Sequence, residues 1–95
     1  MDELVVERVL RAVECVPPGR VASYGLIGAL VGAGPRQVGA VLSRYGDGVP
    51  WWRIVNASGE LPAPLLARAL PRWRREGIEP APHGRGCRYG RFAAD

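Results

Sequence analysis

Between residues 4 and 16, apolar side chains recur at three- and four-residue intervals (Leu4, Val5, Val9, Leu10, Val13, Val16), with glutamate and arginine between them. That period predicts an amphipathic helix, which Asp2 can cap and Pro17-Pro18-Gly19 must end. Arg20-Val21-Ala22 is too short to fix a strand. Ser23 then offers a cap for a second helix, from Tyr24 to about Val31, with Ile27, Leu30 and Val31 as its expected core face. Gly32-Ala33-Gly34-Pro35 breaks the chain, and Arg36 to about Tyr45 reads as a third helix with Val38, Val41 and Leu42 turned inward.

Two short helices joined by a tight glycine-containing turn form a helix-turn-helix candidate. In the third helix, Gly39 and Ala40 leave the outer face almost bare of side chain. A bare face permits close approach to another surface, at a cost of about 1 kcal/mol for glycine relative to alanine. Beyond it, Tyr45-Gly46-Asp47-Gly48 is a loop, Val49 to Val55 a short turn or strand, and Asn56-Ala57-Ser58-Gly59 a turn. Leu65, Leu66, Ala69, Leu70 and Trp73 have helical spacing. Pro71 interrupts it, so a helix over residues 64–76 is either kinked or begins at Pro71. From Gly77 the chain is rich in glycine, proline and arginine, with Arg85, Arg88 and Arg91 flanking Tyr89 and Phe92. Residues 78–95 are expected to be a flexible basic tail or to lie along a phosphate backbone.

Ninety-five residues make one small domain, so residues 1–95 are assigned to a single core. The fold expected is a mainly helical α+β domain with a winged helix-turn-helix-like core. A short β element is expected to cover one side, near Val21 and residues 53–61. The chain carries 13 basic residues, all arginine, against 9 acidic ones, for a net charge of +4. Residues 2–14 are net −2 and residues 20–91 net +7, so the basic surface begins after the first helix. That distribution suits a polyanion. An arginine-, alanine- and glycine-rich composition also suits a GC-rich genome, so charge alone does not decide the partner.

No apolar run approaches the roughly 20 residues of a membrane span, and residues 1–20 lack the order of a signal peptide. A cytoplasmic protein with no membrane partner is expected. Cys15 and Cys87 have neither zinc-site spacing nor the density of a disulfide scaffold. Cys15 reads as a small core hydrophobe at a helix end, Cys87 as an exposed, incidental thiol. His83 is the only histidine and lies far along the chain from Cys15, in a proline- and glycine-rich stretch. No metal set, cofactor site or nucleophile–base pair can be assembled.

Three blocks in order, Val21-Ala22-Ser23-Tyr24-Gly25, Arg36-Gln37-Val38-Gly39 and Val49-Pro50-Trp51-Trp52-Arg53-Ile54-Val55-Asn56, resemble the C-terminal DNA-binding domain of O6-alkylguanine-DNA alkyltransferases. The resemblance covers roughly residues 4–79. The active-site signature of that family is Pro-Cys-His-Arg-Val; here Trp51 stands at the position of the nucleophilic cysteine and Trp52 at that of its activating histidine. Direct attack on an alkyl carbon needs a thiolate, and an indole is a non-basic donor that cannot replace it. The Pro-Trp-X-Arg pattern is similar to that of alkyltransferase-like proteins, which bind the alkylated base without transfer and mark it for nucleotide excision repair.

The resemblance implies a monomeric, non-enzymatic reader of O6-alkylguanine in double-stranded DNA, with nucleotide excision repair proteins as further partners. The base must leave the stack to be inspected. Arg36 would enter the stack from the minor groove and Tyr24 would press on the backbone beside the target. Gln37, Gly39 and Ser43 would lie along the helix face towards the groove. Tyr24, Pro50, Trp51, Trp52 and Ile54 would line the base pocket, with the carbonyls of Trp51 and Ile54 accepting from the guanine 2-amino group. Adjacent side chains on an extended segment point to opposite faces, so Trp51 is preferred for the pocket and Trp52 for packing. Arg53 is expected to brace the fold.

Two other classes compete. An alkyltransferase or DNA hydrolase would need Cys15, Cys87 or a base. A helix-turn-helix transcription regulator would need polar side chains along its recognition helix, where this chain has Gly39, Ala40 and Val41; a general minor-groove binder would not.

Overall fold

The computed structural model describes residues 2–94. Helix α1 (Glu3–Glu14) opens on Asp2, whose Oδ1 accepts from the Leu4 N–H at 2.9 Å. Strand β1 (Ala22–Ser23) leads directly into α2 (Tyr24–Val31), capped by Ser23 Oγ, which accepts from the Leu26 N–H at 3.0 Å. Helix α3 (Pro35–Tyr45) starts on a proline whose missing N–H is one the first turn does not need. Two 3₁₀ turns, Gly46–Gly48 and Trp51–Arg53, precede strand β2 (Ile54–Val55), and α4 (Ala63–Glu76) and the single turn α5 (Tyr89–Phe92) follow.

The corner between α2 and α3 fixes the helix-turn-helix. Gly32 ends α2 with φ 77°, a left-handed conformation that glycine adopts without penalty. One turn earlier, the Ala33 N–H donates to the Gly28 carbonyl at 2.8 Å, and a Cβ on Gly28 would collide with the Ala33 carbonyl. The helix pair consequently bends by 98°, within the range of about 90–120° usual for this motif.

Two apolar clusters make the core. Val9, Val13, Ala22, Ile27, Val38, Val41 and Ile54 fill one. Val21, Trp51, Val55, Leu61, Ala69, Trp73, Ile78 and Cys87 fill the other. Tyr24 and Leu42 pack against both and join them. Strands β1 and β2 run parallel, with Ala22 opposite Ile54 and Ser23 opposite Val55, and form the expected short β element. A mainly helical α+β fold around a winged helix-turn-helix-like core is therefore what the chain adopts.

One carboxylate ties the sequence-distant pieces together. Glu76, the last residue of α4, accepts from Arg53 (Nη2 at 2.6 Å, Nε at 2.9 Å), from Trp52 Nε1 at 3.1 Å and from the Gly19 N–H at 3.2 Å. Arg53 Nη1 donates in turn to the Val16 carbonyl at 2.9 Å, so Arg53 braces the fold as expected. The Arg53 and Glu76 side chains are only 12% and 13% exposed.

Several expectations are corrected. Leu30 is 68% exposed rather than core, because α2 is apolar nearly all round and Leu26 and Leu30, four residues apart, share its outward side. Cys15 is exposed, lying just beyond the inward-facing Val13. Cys87 is buried: its N–H donates to the Gly59 carbonyl at 2.9 Å and it pairs with Pro80. Of residues 78–95, expected as a flexible basic tail or as lying along a phosphate backbone, residue 95 is outside the described residues and 78–94 are laid against the core. The Val21 N–H donates to Phe92 and the Ala94 N–H to Val21, Gly86 bridges to Glu60, and Arg88 and Arg91 pair with Glu79. Alternating glycines and arginines hid this docking, since backbone pairing leaves no apolar period. Helix α4 runs through Pro71, which lies on its exposed side, where water can reach the carbonyl left unpaired one turn earlier.

Partial burial works to raise the Glu76 pKa, but the donors from Arg53, Gly19 and Trp52 and the Arg53 charge outweigh it and hold the carboxyl below its ordinary value. A depressed native pKa contributes stability above the unfolded value of 4.5 and loses it as pH falls through the native value. Glu76→Gln is therefore expected to destabilise the protein at pH 7 by about 2–4 kcal/mol, since it breaks a largely buried pair. Thermal melts from pH 7 to pH 3 should show the gap between wild type and variant narrowing below about pH 4.5.

Candidate nucleic-acid interface

Helices α3 and α4 face one another across a cavity of about 260 Å³. Tyr24 from α2, Gly39, Leu42 and Ser43 from α3, Asp47 and Trp51 from the 3₁₀ turns, and Leu65 and Arg68 from α4 line it. Its volume lies just under the range of about 300–1,000 Å³ common for small-ligand sites. A second concavity, lined by Tyr24, Pro35, Arg36, Gly39, Asn56, Leu61 and Leu65 among others, shares Tyr24, Gly39 and Leu65 with the first.

Tyr24 sits at the start of α2, where the two cavities meet. Burial pushes its phenol above the ordinary tyrosine pKa, so at neutral pH it remains a hydrogen-bond donor. Arg36 occupies the first turn of α3 and is exposed, with no ion pair among the described residues. A cation at the positive end of a helix gains nothing from the dipole, which leaves this guanidinium available to an outside anion or base. Gly39 faces open space: a Cβ there would meet no atom within 4 Å. The fold does not require glycine at this position.

Trp51 closes the floor of the cavity and is 8% exposed. The Cζ atoms of Arg68 and Arg72 lie 4.9 and 5.4 Å from its ring centroid, and Trp52 meets it edge-on at 5.9 Å and 87°. At these distances both cations are attracted to the negative face of the ring.

The structure thus brings Tyr24, Arg36, Gly39, Ser43 and Trp51 to one side of the molecule and separates the remaining expected residues. Gln37 is exposed and lines neither cavity. Pro50 and Trp52 border a different depression, with Glu14 and Asp47, and Trp52 is held there by Glu76. Three residues per 3₁₀ turn put successive side chains about 120° apart, so Trp51 and Trp52 cannot share a wall. Ile54 is fully buried in β2, and the Trp51 carbonyl already accepts the Ile54 N–H. Neither cysteine lines the cavity. Burial pushes the Cys87 thiol up to about 11, the opposite of an activated nucleophile.

Leu65, Arg68 and Asp47 were not anticipated from sequence. The three- and four-residue spacing of Leu65, Arg68 and Arg72 does place them on one face of α4, but only the fold shows that this face meets Trp51.

Residues 5–78 match the 6-O-methylguanine DNA methyltransferase DNA-binding domain. The chain belongs to that family. Among solved structures, S. pombe Atl1 in complex with damaged DNA containing O6-carboxymethylguanine is 25% identical, with a TM-score of 0.86 over 100% of this chain and 98% of that one. Mycobacterium tuberculosis O6-methylguanine methyltransferase is 30% identical, with a TM-score of 0.66 over 75% of this chain; the match spans only 47% of that protein. A 50-residue stretch is also 48% identical to the fluoride-specific ion channel FluC of Sphingopyxis alaskensis, over 50% of this chain and 40% of that protein. No single helix among the described residues is long and apolar enough to cross a membrane. One helix pair, Tyr24–Val31 with Pro35–Gly48, is long and apolar enough when taken together, but it is bent by 98° and turns Ile27, Val38 and Val41 into the core.

For a member of a DNA-binding family, an unfilled helix face beside a cavity has a consequence for both stability and binding. Gly39→Ala should stabilise the free protein by up to about 1 kcal/mol, because the helix loses a glycine and nothing is displaced. Gly39→Leu should leave the melting temperature unchanged or raised while weakening duplex binding at least about tenfold, roughly 1.4 kcal/mol. Thermal melts and fluorescence anisotropy on the same preparations test both.

Proposed function

We propose that this protein recognises O6-alkylated guanine in duplex DNA without repairing it. The observation that carries the reading is the cavity beside the recognition helix, which has Trp51 on its floor and no thiol among its lining residues. In this reading Trp51 occupies the place of the family's acceptor cysteine and Trp52 that of its histidine. Neither indole can take an alkyl group from the base by direct displacement.

Recognition proceeds in three steps. Helix α3 approaches the minor groove, where Gly39 and Ala40 impose no steric barrier. Arg36 enters the stack and fills the space left by the extruded nucleotide, and Tyr24, at the junction of the two cavities, presses against its backbone. The base then enters the cavity between Ser43 and Arg68, with Trp51 beneath it. Unstacking costs a few kcal/mol, less for a pair already weakened by alkylation. Contacts with aromatic and planar groups, at roughly 1–3 kcal/mol per base, offset much of that. A protein that holds the lesion without removing it serves as a mark for a further repair system, and nucleotide excision repair is the partner pathway that the family resemblance suggests.

Fluorescence anisotropy on duplexes containing O6-methylguanine or guanine at the same position, at one fixed salt concentration, tests the reading. At least about tenfold tighter binding to the lesion is expected, with Arg36→Ala and Tyr24→Phe losing most of the preference, about 1.4 kcal/mol or more. Equal affinity for the two duplexes in the wild type would overturn lesion recognition and leave a general minor-groove binder.

A further inference from the structure

Arg68 and Arg72 are two cations four residues apart on one face of α4, and no carboxylate pairs with either among the described residues. By contrast, Arg11, Arg53, Arg85, Arg88 and Arg91 each have an acidic partner. Like charges at this spacing repel one another in an isolated helix. What holds them together is aromatic: Arg68 lies over Trp51, and Arg72 over both Trp51 and Trp52 at 5.4 and 5.1 Å.

Each guanidinium carries five N–H donors, more than a contact with a ring face occupies. Arg72 spends one of these on the Arg68 carbonyl at 2.8 Å; the Arg68 guanidinium donates to nothing among the described residues. Arg68 also lines the cavity, on the α4 side, across from Gly39 and Ser43 of α3. A guanidinium set against an aromatic ring and donating to no protein acceptor is a ready donor site for a pair of anionic oxygens.

Resting on the reading of the cavity as a base pocket, we infer that Arg68 and Arg72 form an oxyanion site on the α4 lip, taking anionic oxygens carried by the nucleotide that enters. That chemistry has two sources: the phosphodiester attached to the nucleotide, or an acidic substituent on the base itself. Asp47 lies across the same cavity and opposes an anion placed deep inside it, so the site operates at the lip. It lies on α4, separate from the surface that α3 offers to the groove.

The test is a salt series of duplex binding by wild type, Arg68→Gln, Arg68→Lys and the Arg68→Gln/Arg72→Gln double variant. Three duplexes are used, carrying guanine, O6-methylguanine or O6-carboxymethylguanine. If the phosphodiester is the ligand, the double variant loses affinity for both lesions equally, about 5- to 30-fold. The slope of log affinity against log salt then falls by roughly 0.9 for each phosphate contact removed. Arg68→Lys, which keeps the charge, should then retain the slope. If the acidic substituent is the ligand, the loss is confined to the carboxymethyl duplex and the slope on the methyl duplex is unchanged. Unchanged affinity and slope on both lesion duplexes, with melting temperatures matching wild type, would overturn the inference and leave the pair as packing for Trp51. Failure of the base-pocket reading shows separately, as wild-type protein that binds all three duplexes alike.

Discussion

A single carboxylate, that of Glu76, decides where the functional half of this molecule sits relative to the rest. Its donors come from the Trp51–Arg53 turn and from the Pro-Pro-Gly bend after α1, and it stands at the end of α4. The 3₁₀ turn is thereby pinned between the two apolar clusters. Trp52 is drawn outward to Glu76 while its carbonyl accepts from Trp73 Nε1 at 2.6 Å, which leaves Trp51 as the indole that faces the cavity. An ion pair with so little exposure adds less net stability than its geometry suggests, since both groups lose hydration. Its contribution is positional: it ties the end of α4 to the Trp51–Arg53 turn and to the bend after α1.

The cavity draws on elements with different physical constraints. Helices α2 and α3 meet at a corner that Gly28 makes possible, and that corner holds Tyr24 and Gly39 in fixed relation. Helix α4 approaches from the other side through Ala69 and Trp73, both fully buried. Between them the packing is incomplete: Gly39 carries no side chain and Arg68 substitutes a stacked guanidinium for an apolar contact. Both features sacrifice stability that an ordinary core would keep, and both lie where a base would enter. Local departures from good packing of this sort mark functional positions more often than accidents.

The helices were legible in the sequence because their apolar periods are regular and their ends carry strong signals, Asp2, Ser23, Pro35 and Gly32. The helix-turn-helix followed from the same signals. What the sequence concealed was pairing between distant segments. Leu30 looks like core by period, but an eight-residue helix that is apolar on every side does not announce which side faces inward. The segment after Gly77 looks unstructured because its order comes from backbone bonds to Val21, Gly59 and Glu60 rather than from apolar repeats. Tyr24, Gly39 and Trp51, which belong to the motif blocks, line one cavity together with Ser43, which belongs to none of them. Arg68 belongs to none of those blocks; the 3₁₀ turn rotates Trp52 away from Trp51, Pro50 borders the same separate depression as Trp52, and Ile54 is buried in β2.

In the proposed function binding and chemistry are separable: the lesion would be held in a cavity whose lining includes no group able to accept its alkyl carbon. Mass spectrometry of both components of an isolated complex tests this most directly, with protein in molar excess over a duplex carrying O6-methylguanine. The bound duplex is expected to retain intact O6-methylguanine and the protein to keep its starting mass. Restored guanine in the duplex, together with protein heavier by one methyl group, would contradict it and show that one of the two cysteines acts as an acceptor.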